Sequence, residues 1–338
     1  MTIGFGFGMS HAPPVHQRRE ASERWLEKTL AKQRANDWAI PAATWDLTPE
    51  RLDASWIRTR KSFDVLREKL RAYDPEVIVL FGGGGGNHFP TPRPSTVTIF
   101  TGAEAYGLIS GDASGLSDAS IAGHVPMEQD YVRHHTDVAL ARKLAEELAN
   151  GGIDVETSDI FEPRGPALLQ DDWANPTEVF PRHDLSTVIV SIRYQGLSEP
   201  RAGTMHVSGE FCYRLGEHVA EILEKDPRRI AICGSGGLSH DPNGPRNMWV
   251  DTRLDHWVLD QIREGNGRAF SDLFSYDAMT FRAGTREIGA WVAATGAMER
   301  VGGKATIVDY IGDAPQLQGG IAYAYWERQP VESPVSSE

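Results

Sequence analysis

Two short apolar runs, each followed at once by a glycine-rich turn, constrain the fold of this 338-residue chain. Residues 76–81 (Glu-Val-Ile-Val-Leu-Phe) lead into five consecutive glycines, and residues 229–233 (Arg-Ile-Ala-Ile-Cys) lead into Gly-Ser-Gly-Gly. Apolar runs without polar alternation are typical of strands that are buried on both faces, as in a parallel sheet covered by helices. They predict an α/β fold in which the glycine turns lie at the carboxyl ends of central strands.

Helical segments separate the predicted strands along most of the chain. We predict helices over residues 22–34, 49–73, 132–150, 211–224, 254–263 and 285–298. We predict further strands over residues 3–9, 97–100, 153–156, 188–192, 304–310 and 320–326. This alternation indicates a single domain over residues 1–330, with a central, mostly parallel or mixed sheet flanked by helices. The polar residues 331–338 lack periodicity and are expected to be a disordered tail.

The composition bears on which partners and which compartment are expected. The formal net charge is −13, which argues against nucleic acid and anionic membranes as partners, because both call for a basic surface. No apolar run approaches the ~20 residues of a membrane span, and no signal-peptide pattern is found, so we expect a cytoplasmic protein. The two cysteines, Cys212 and Cys233, are too few for a disulfide framework and are expected to be buried thiols.

Two of the eleven histidines stand out because each follows a predicted strand in a tight Ser-His turn. His11 follows the strand at residues 3–9, and His240 ends the turn Gly-Ser-Gly-Gly-Leu-Ser-His. Ligands of open α/β sheets bind beyond the carboxyl ends of the strands, so we expect both histidines in one cleft with the loop that begins at Gly82. The glycine-rich segments lack nucleotide-binding fingerprints, because no Gly-Lys-Ser/Thr ending follows them.

Three segments resemble signatures of the class III (LigB-type) extradiol ring-cleavage dioxygenases. Residues 8–13 (Gly-Met-Ser-His-Ala-Pro) resemble the amino-terminal Ser-His-x-Pro signature of that family. Residues 232–240 are very similar to its Gly-[Ser/Thr]-Gly-Gly-[Met/Leu]-Ser-His segment, which is the most specific of the three. Residues 283–291 resemble its carboxylate-bearing helix, where a glutamate precedes a tryptophan by four residues, as Glu287 precedes Trp291. The order and spacing of these segments agree over about residues 1–327.

The resemblance implies a LigB-like fold and a ring-opening reaction. Members of the family hold ferrous iron with two histidines and one carboxylate, which leaves positions for a catechol and for dioxygen. Carried over by residue, His11 would be the first metal ligand, Glu287 the carboxylate, and His240 the histidine that moves protons. The expected cofactor is Fe(II), with zinc or manganese as alternatives. The expected partners are a small aromatic diol and O2, and the resemblance also implies a homo-oligomer, to which some relatives add a small second subunit.

The chain departs from the family pattern at two places in the expected cleft. The second metal histidine is expected near Gly85, where this chain has glycine. His88, three residues later, is the candidate replacement; otherwise it is a substrate contact or a surface residue. The Asp-His pair that many relatives carry after the strand at residues 153–156 lacks its histidine here, so His124, or alternatively His183, is the candidate for a second acid–base group.

Candidate substrate contacts lie near the proposed carboxylate helix and the closing strand. Arg282, Arg286 and Arg246 are candidates for binding a substrate carboxylate, and Tyr323 is a candidate for lining the pocket. The leading hypothesis is a non-haem Fe(II) extradiol dioxygenase that acts on a substituted catechol or gallate-like acid. Two alternatives stay open: a hydrolytic or lyase reaction with zinc or iron on the same scaffold, and a non-catalytic relative with an incomplete metal site.

Overall fold

The computed structural model describes residues 2–16, 19–83, 95–108, 131–159, 175–182, 184–193, 207–241, 244–275 and 278–329. Within these residues ten strands form one sheet that is flanked by helices. The strands are β1 (Ile3–Met9), β2 (Val77–Gly82), β3 (Val97–Phe100), β4 (Glu104–Leu108), β5 (Tyr131–Thr136), β6 (Val155–Ser158), β7 (Ser186–Ile192), β8 (Ile230–Ser235), β9 (Gly303–Ile311) and β10 (Ile321–Arg328). The helices are α1 (Pro13–His16), α2 (Arg19–Ala35), α3 (Pro49–Tyr73), α4 (Val138–Asn150), α5 (Gly209–Leu223), α6 (Thr252–Glu264) and α7 (Ile288–Arg300).

The sheet is parallel at its centre and antiparallel at its edges. The strand order is β4-β5-β7-β2-β8-β1-β10-β9, with β3 beside β7 and β6 beside β3. Neighbours are parallel from β5 to β1, whereas β10 and β9 extend one edge and β4 the other in antiparallel pairs. Both β2 and β8 are buried along their whole length, as expected for strands that are covered on both faces. The predicted α/β class with a mixed, largely parallel sheet is confirmed.

The register of the central strands brings the predicted site together. Gly8 of β1 pairs with Gly234 of β8, and Met9 pairs with Ser235. On the other side of β8, Phe81 of β2 also pairs with Gly234. Because these strands are parallel, the turns that follow all three leave the sheet at the same edge.

Close contacts at two glycines place α7 directly on this edge. A Cβ atom at Gly8 would lie 2.5 Å from the Trp291 ring, and one at Gly236 would lie 2.6 Å from the Glu287 carbonyl oxygen. Neither position therefore has room for a side chain. The glycines allow the start of α7, and with it Glu287, to lie against the ends of β1 and β8.

The first part of one predicted helix is a strand. Residues 132–150 were predicted to be helical throughout, but Tyr131–Thr136 forms β5 and the helix begins only at Val138. Asp137 separates the two elements, because its side chain caps the helix by accepting a hydrogen bond from the Leu140 N–H (3.0 Å). Backbone pairing with β4 and β7 overrides the local helical pattern before this cap.

Two composition-based predictions can be compared with the described residues. Cys212 and Cys233 are buried and unpaired, as predicted, and burial raises the pKa of both thiols. In the described part of the chain, no helix combines the length and the apolar character needed to cross a membrane. The predicted tail at residues 331–338 lies outside the described residues.

Candidate active site

His11 lies immediately beyond the carboxyl end of β1, in a turn that is tied to the neighbouring strand. The backbone N–H of Ser10 donates to the Ala322 carbonyl oxygen (3.0 Å), and the Ala322 N–H donates to Ser10 Oγ (3.0 Å). These bonds fix the chain just before His11, whose side chain is buried. Its Nδ1 lies 3.0 Å from Ser235 Oγ at the end of β8. Ser235 therefore orients the His11 ring so that Nε2 faces Glu287.

Glu287 ends the 3-10 segment that leads into α7. Its carboxylate is buried, and Oε2 accepts a hydrogen bond from the backbone N–H of Gly237 (3.0 Å). The same oxygen lies 3.2 Å from His11 Nε2. Trp291 holds the helix against the glycine turn, because its Nε1–H donates to the Gly236 carbonyl oxygen (2.7 Å).

His240 reaches the same carboxylate from the other side of the glycine turn. Its Nε2 lies 3.4 Å from Glu287 Oε2, and its Nδ1 lies 2.8 Å from the Leu238 carbonyl oxygen. Because a carbonyl oxygen only accepts hydrogen bonds, Nδ1 carries a hydrogen, and the ring gains or loses its second proton at Nε2. Thr285 holds the backbone of His240, since its Oγ1 accepts from the His240 N–H and its own N–H donates to the His240 carbonyl oxygen (both 3.1 Å).

Burial and charge act in opposite directions on the pKa values of this cluster. Burial raises the pKa of Glu287, but the charges of His240 and His11 and their hydrogen bonds outweigh burial and hold it well below its usual value. Burial lowers the pKa of His240, but the Glu287 carboxylate outweighs this effect, so the pKa of His240 lies above its ordinary value. The cluster thus combines an ionised carboxylate with a histidine that binds a proton more tightly than a free imidazole does.

The donor atoms of His11 and Glu287 fit a divalent metal ion. Two ligands at right angles, each about 2.1 Å from a metal, are about 3.0 Å apart. The observed separation of His11 Nε2 and Glu287 Oε2 is 3.2 Å. Nitrogen and carboxylate ligands together suit ferrous iron, manganese and zinc. When the Nδ1–H of His11 donates to Ser235, a lone pair on Nε2 faces a carboxylate oxygen, and a cation between them would relieve their repulsion.

Other predicted members of the site lie outside the described residues. These are His88, the candidate third ligand, and His124 and His183, the candidates for a second acid–base group. Over the residues that can be described, no group of three or more His, Cys, Asp or Glu side chains is arranged to hold a metal ion. The resemblance implies His11 and Glu287 as two of three ligands, and the roles of all these residues, His88 and His124 included, stay predictions.

Among the predicted substrate contacts, Arg246 shares a cavity with His240. This open cavity has a volume of about 470 Å³, and Trp249 and Thr285 also line it. The Arg246 Nε lies 3.6 Å from Asp241 Oδ2. Arg246 and the proposed acid–base histidine therefore border the same space.

The other three predicted contacts lie elsewhere. Arg286 is buried, with its guanidinium 5.6 Å from the centroid of the Phe274 ring, and Arg282 is exposed. Tyr323 is fully buried and its ring packs edge-on against Phe63. None of the three is among the described residues that line the cavity.

The structure adds three residues that the sequence did not single out. Ser235 contacts His11, Thr285 holds His240, and Asp255 accepts hydrogen bonds from the residue before His240. Ser235 and Thr285 lie inside the segments that carry the family resemblance, so their positions in the sequence could have identified them as residues of the site. For Asp255 the signal is a carboxylate on the otherwise apolar face of α6.

Comparison with known proteins relates the chain to ring-opening dioxygenases. Residues 202–312 match the family model described as the catalytic LigB subunit of aromatic ring-opening dioxygenase. A 2,3-dihydroxyphenylpropionate/2,3-dihydroxicinnamic acid 1,2-dioxygenase of Klebsiella pneumoniae is 28% identical over 194 residues, which cover 57% of this chain and 52% of that protein. The chain thus matches about half the length of that relative. A protein of the same name from Cupriavidus pinatubonensis is 25% identical over 306 residues, which cover 77% of this chain and 88% of that protein.

A solved structure is similar at a more distant level. It is the crystal structure of an uncharacterized protein from Escherichia coli K12, with a TM-score of 0.45 and 14% identity, covering 77% of this chain and 91% of that one. This likeness is too remote to bear on function. The family model, in contrast, spans both His240 and Glu287, and the relatives carry the same enzymatic name. On these matches residues 202–312 carry a LigB domain, and the chain is similar to LigB-type extradiol ring-cleavage dioxygenases.

Proposed function

We propose that the protein is a non-haem Fe(II)-dependent extradiol dioxygenase that opens the ring of a substituted catechol or gallate-like acid with O2. The observation that carries this proposal is the convergence of His11 Nε2 and His240 Nε2 on one oxygen of Glu287, within 3.4 Å. The enzymatic name of the relatives supports it. The convergence occurs at the carboxyl ends of parallel strands, where ligands of such sheets bind.

In this proposal His11 and Glu287 hold the metal, and His88 is the third ligand. The Gly237 N–H orients the Glu287 carboxylate before any metal binds. Ser235 orients the His11 imidazole in the same way. When bound, ferrous iron supplies the redox chemistry that lets the diol ring react with O2, which amino-acid side chains lack. Zinc or manganese is the alternative occupant of the same donors.

His240 is proposed to take a proton from a diol hydroxyl at Nε2 and to return it later in the reaction. The Leu238 carbonyl oxygen keeps Nδ1 protonated, so the ring presents a single exchanging nitrogen. The Glu287 carboxylate stabilises the imidazolium form, which makes the ring a stronger base than free imidazole. His124 remains the proposed second acid–base group.

We propose that the substrate carries a carboxylate substituent. The relatives are named for diols that bear propionate or cinnamate side chains. Arg246 borders the same cavity as His240, where a guanidinium can pair with a carboxylate. Arg282 and Arg286 remain further candidates, and Tyr323 remains a candidate for lining the pocket. We expect the enzyme to be a cytoplasmic homo-oligomer, to which a small second subunit is added in some relatives.

Anaerobic loading with ferrous iron, followed by oxygen-uptake measurements, tests the proposed function. The diol panel contains catechol, gallate, protocatechuate and 2,3-dihydroxyphenylpropionate, and 18O2 reports whether both oxygen atoms enter the product. We expect near-stoichiometric iron, oxygen uptake and a yellow ring-opened product, with the carboxylate-bearing diols preferred. Iron that binds without oxygen uptake on any diol would exclude this function in favour of a different metal-dependent reaction.

The Glu287→Gln variant tests whether the site described above is responsible. It keeps the volume of the side chain but removes the charge that the metal requires, so bound iron and oxygen uptake should both be lost. Glu299→Gln is the matched control, because Glu299 is a part-buried glutamate at the other end of α7 that pairs with Tyr213 (2.7 Å). A Glu287→Gln protein with full iron content would remove Glu287 from the ligand set.

A further inference from the structure

Asp255 occupies a position where a helix normally carries an apolar side chain. The buried face of α6 consists of Asp255, Val258, Leu259 and Ile262, which follow the i, i+3, i+4, i+7 spacing of a core-facing stripe. Asp255 is fully buried, at 0% exposure. Burying a carboxylate is costly unless its oxygens accept hydrogen bonds, so its donors indicate what it does.

Three hydrogen bonds reach the Asp255 carboxylate from outside its own helix. The Ser239 N–H donates to Oδ1 (2.8 Å), and the Ser239 hydroxyl donates to Oδ2 (2.9 Å). The Tyr310 hydroxyl, from β9, also donates to Oδ2 (2.8 Å). The helix does not need this carboxylate as a cap, because Asp251 Oδ1 accepts from the Leu254 N–H (3.1 Å). The Asp255 carboxylate therefore links α6 to the Ser239 turn and to the edge of the sheet.

Ser239 directly precedes His240 and is held from several directions. Besides its two bonds to Asp255, its hydroxyl accepts a backbone N–H from residue 251 (2.8 Å), and its carbonyl oxygen accepts the Gly320 N–H (2.9 Å). Thr285 holds the backbone of His240 itself. The α-carbon of His240 is thus fixed between the Ser239 contacts and Thr285.

The Asp255 carboxylate packs closely against the connection between β9 and β10. A Cβ atom at Gly320 would lie only 1.9 Å from Asp255 Oδ2, so the β9–β10 connection packs tightly against this oxygen. Burial raises the pKa of Asp255 to about 6, and the hydrogen bonds from Ser239 and Tyr310 oppose the rise. Near pH 7.5 the group is ionised and accepts from all three donors.

We propose that Asp255 is a positioning residue that holds His240 at its working distance from Glu287 by fixing the Ser239 turn. This inference rests on the proposed function, in which His240 moves a proton at Nε2. A misplacement of about 1 Å can lower the rate of such a reaction by roughly a hundredfold. Because the carboxylate bonds to the Ser239 turn rather than to the proposed metal ligands, its loss should affect proton transfer and leave metal binding intact.

The test compares Asp255→Asn, Ser239→Ala and the double variant in the iron-loaded protein. We expect kcat for the preferred diol to fall roughly tenfold to a hundredfold in each single variant, with KM and bound iron unchanged. The double variant should fall no further, because both changes break the same link. Asp260→Asn is the matched control, since Asp260 is a half-exposed carboxylate on the same helix that pairs with Arg263.

A second measurement does not depend on turnover. In the metal-free protein, NMR of the histidine Cε1–H groups, assigned with His240→Gln, reports the surroundings of the His240 ring. Asp255→Asn and Ser239→Ala should shift the His240 resonance and leave that of His11 in place, whereas Asp260→Asn should shift neither. If the unmodified protein consumed no oxygen with any diol, the proposed function would fail and this comparison alone would decide on Asp255.

Two results would overturn the positioning role. The first is an unchanged kcat together with an unchanged His240 resonance in Asp255→Asn and Ser239→Ala. The second is a parallel loss of kcat, bound iron and the His11 resonance, which would make Asp255 a general support of the scaffold. Ser239→Ala keeps the carboxylate in place, so it provides the same comparison if Asp255→Asn does not fold.

Discussion

Oε2 of Glu287 lies within 3.4 Å of three nitrogen atoms that reach it from distant parts of the chain: Gly237 N, His11 Nε2 and His240 Nε2. The backbone N–H orients the carboxylate, one imidazole shares a metal with it in the proposed function, and the other exchanges a proton beside it. A negative charge at this atom stabilises both a metal ion and an imidazolium. In the proposed function, metal binding and proton transfer therefore depend on the same oxygen of Glu287, which lies buried at the centre of the group.

A second buried carboxylate, Asp255, predicts how stability changes with pH. Burial raises its pKa from 3.8 to about 6 in the folded protein, so the folded state binds this proton more tightly than the unfolded state does. The contribution of Asp255 to the free energy of unfolding is therefore fully present below about pH 4. It is lost as the pH rises through about 6, and the total loss is about 3 kcal/mol. Asp255→Asn does not titrate, so its stability relative to the unmodified protein should rise over that range.

Urea unfolding of both proteins between pH 4 and pH 7.5 measures this difference. Asp260→Asn is the control, because its half-exposed side chain pairs with Arg263 at the surface. A constant difference in the free energy of unfolding across the range would show that Asp255 keeps an ordinary pKa in the folded state.

At the scale of elements, the contact between α5 and α7 sets the position of the site. A Cβ atom at Gly216 would lie 1.9 Å from the Ala293 carbonyl oxygen, and one at Gly296 would lie 2.2 Å from the Tyr213 carbonyl oxygen. The two helices therefore meet through their backbones. Because Glu287 directly precedes α7, this close packing also fixes the depth at which its carboxylate enters the site.

Gly216→Ala should therefore destabilise the protein although alanine favours helices. The added methyl group meets backbone atoms that cannot rotate away, and overpacking of this kind costs about 1–3 kcal/mol. Gly151→Ala is the control, because Gly151 has a φ of −76° at the end of α4 and the nearest contact of an added Cβ is 3.3 Å. Thermal and urea unfolding of the two variants give the comparison. Equal stability of both would mean that α5 and α7 can separate at little cost.

The sequence predicts these elements well where local pattern and tertiary contacts agree. The strand at residues 97–100 and the helix at residues 49–73 have the predicted bounds, because turn or cap residues mark their ends. The prediction that a helix begins at residue 132 is wrong. These residues pair with other strands of the sheet, and a local sequence pattern does not report such long-range pairing. For the site, the side chains of His11, His240 and Glu287 lie close together, whereas the roles predicted for them stay predictions. Asp255 was missed because its hydrogen-bond donors are remote from it in sequence.

At the scale of the whole molecule, the proposed metal ligands join segments that are far apart in the chain. His11 and Glu287 are separated by 276 residues and lie at opposite ends of the sequence. They follow β1 and precede α7, so both belong to the packed centre of the fold. Unfolding of the sheet separates them, and a metal ion that binds both ligands binds the folded state only.

Ferrous iron should therefore raise the temperature of thermal unfolding under anaerobic conditions. Free metal at 100 times its dissociation constant adds about 2.7 kcal/mol to the free energy of unfolding, because the unfolded chain lacks the site. The shift should grow with metal concentration, and zinc or manganese should produce it if either fits the same donors. Glu287→Gln should remove the shift, whereas Glu299→Gln should keep it. A shift of equal size in Glu287→Gln would place the metal at another site, because removal of a ligand carboxylate cannot leave affinity unchanged.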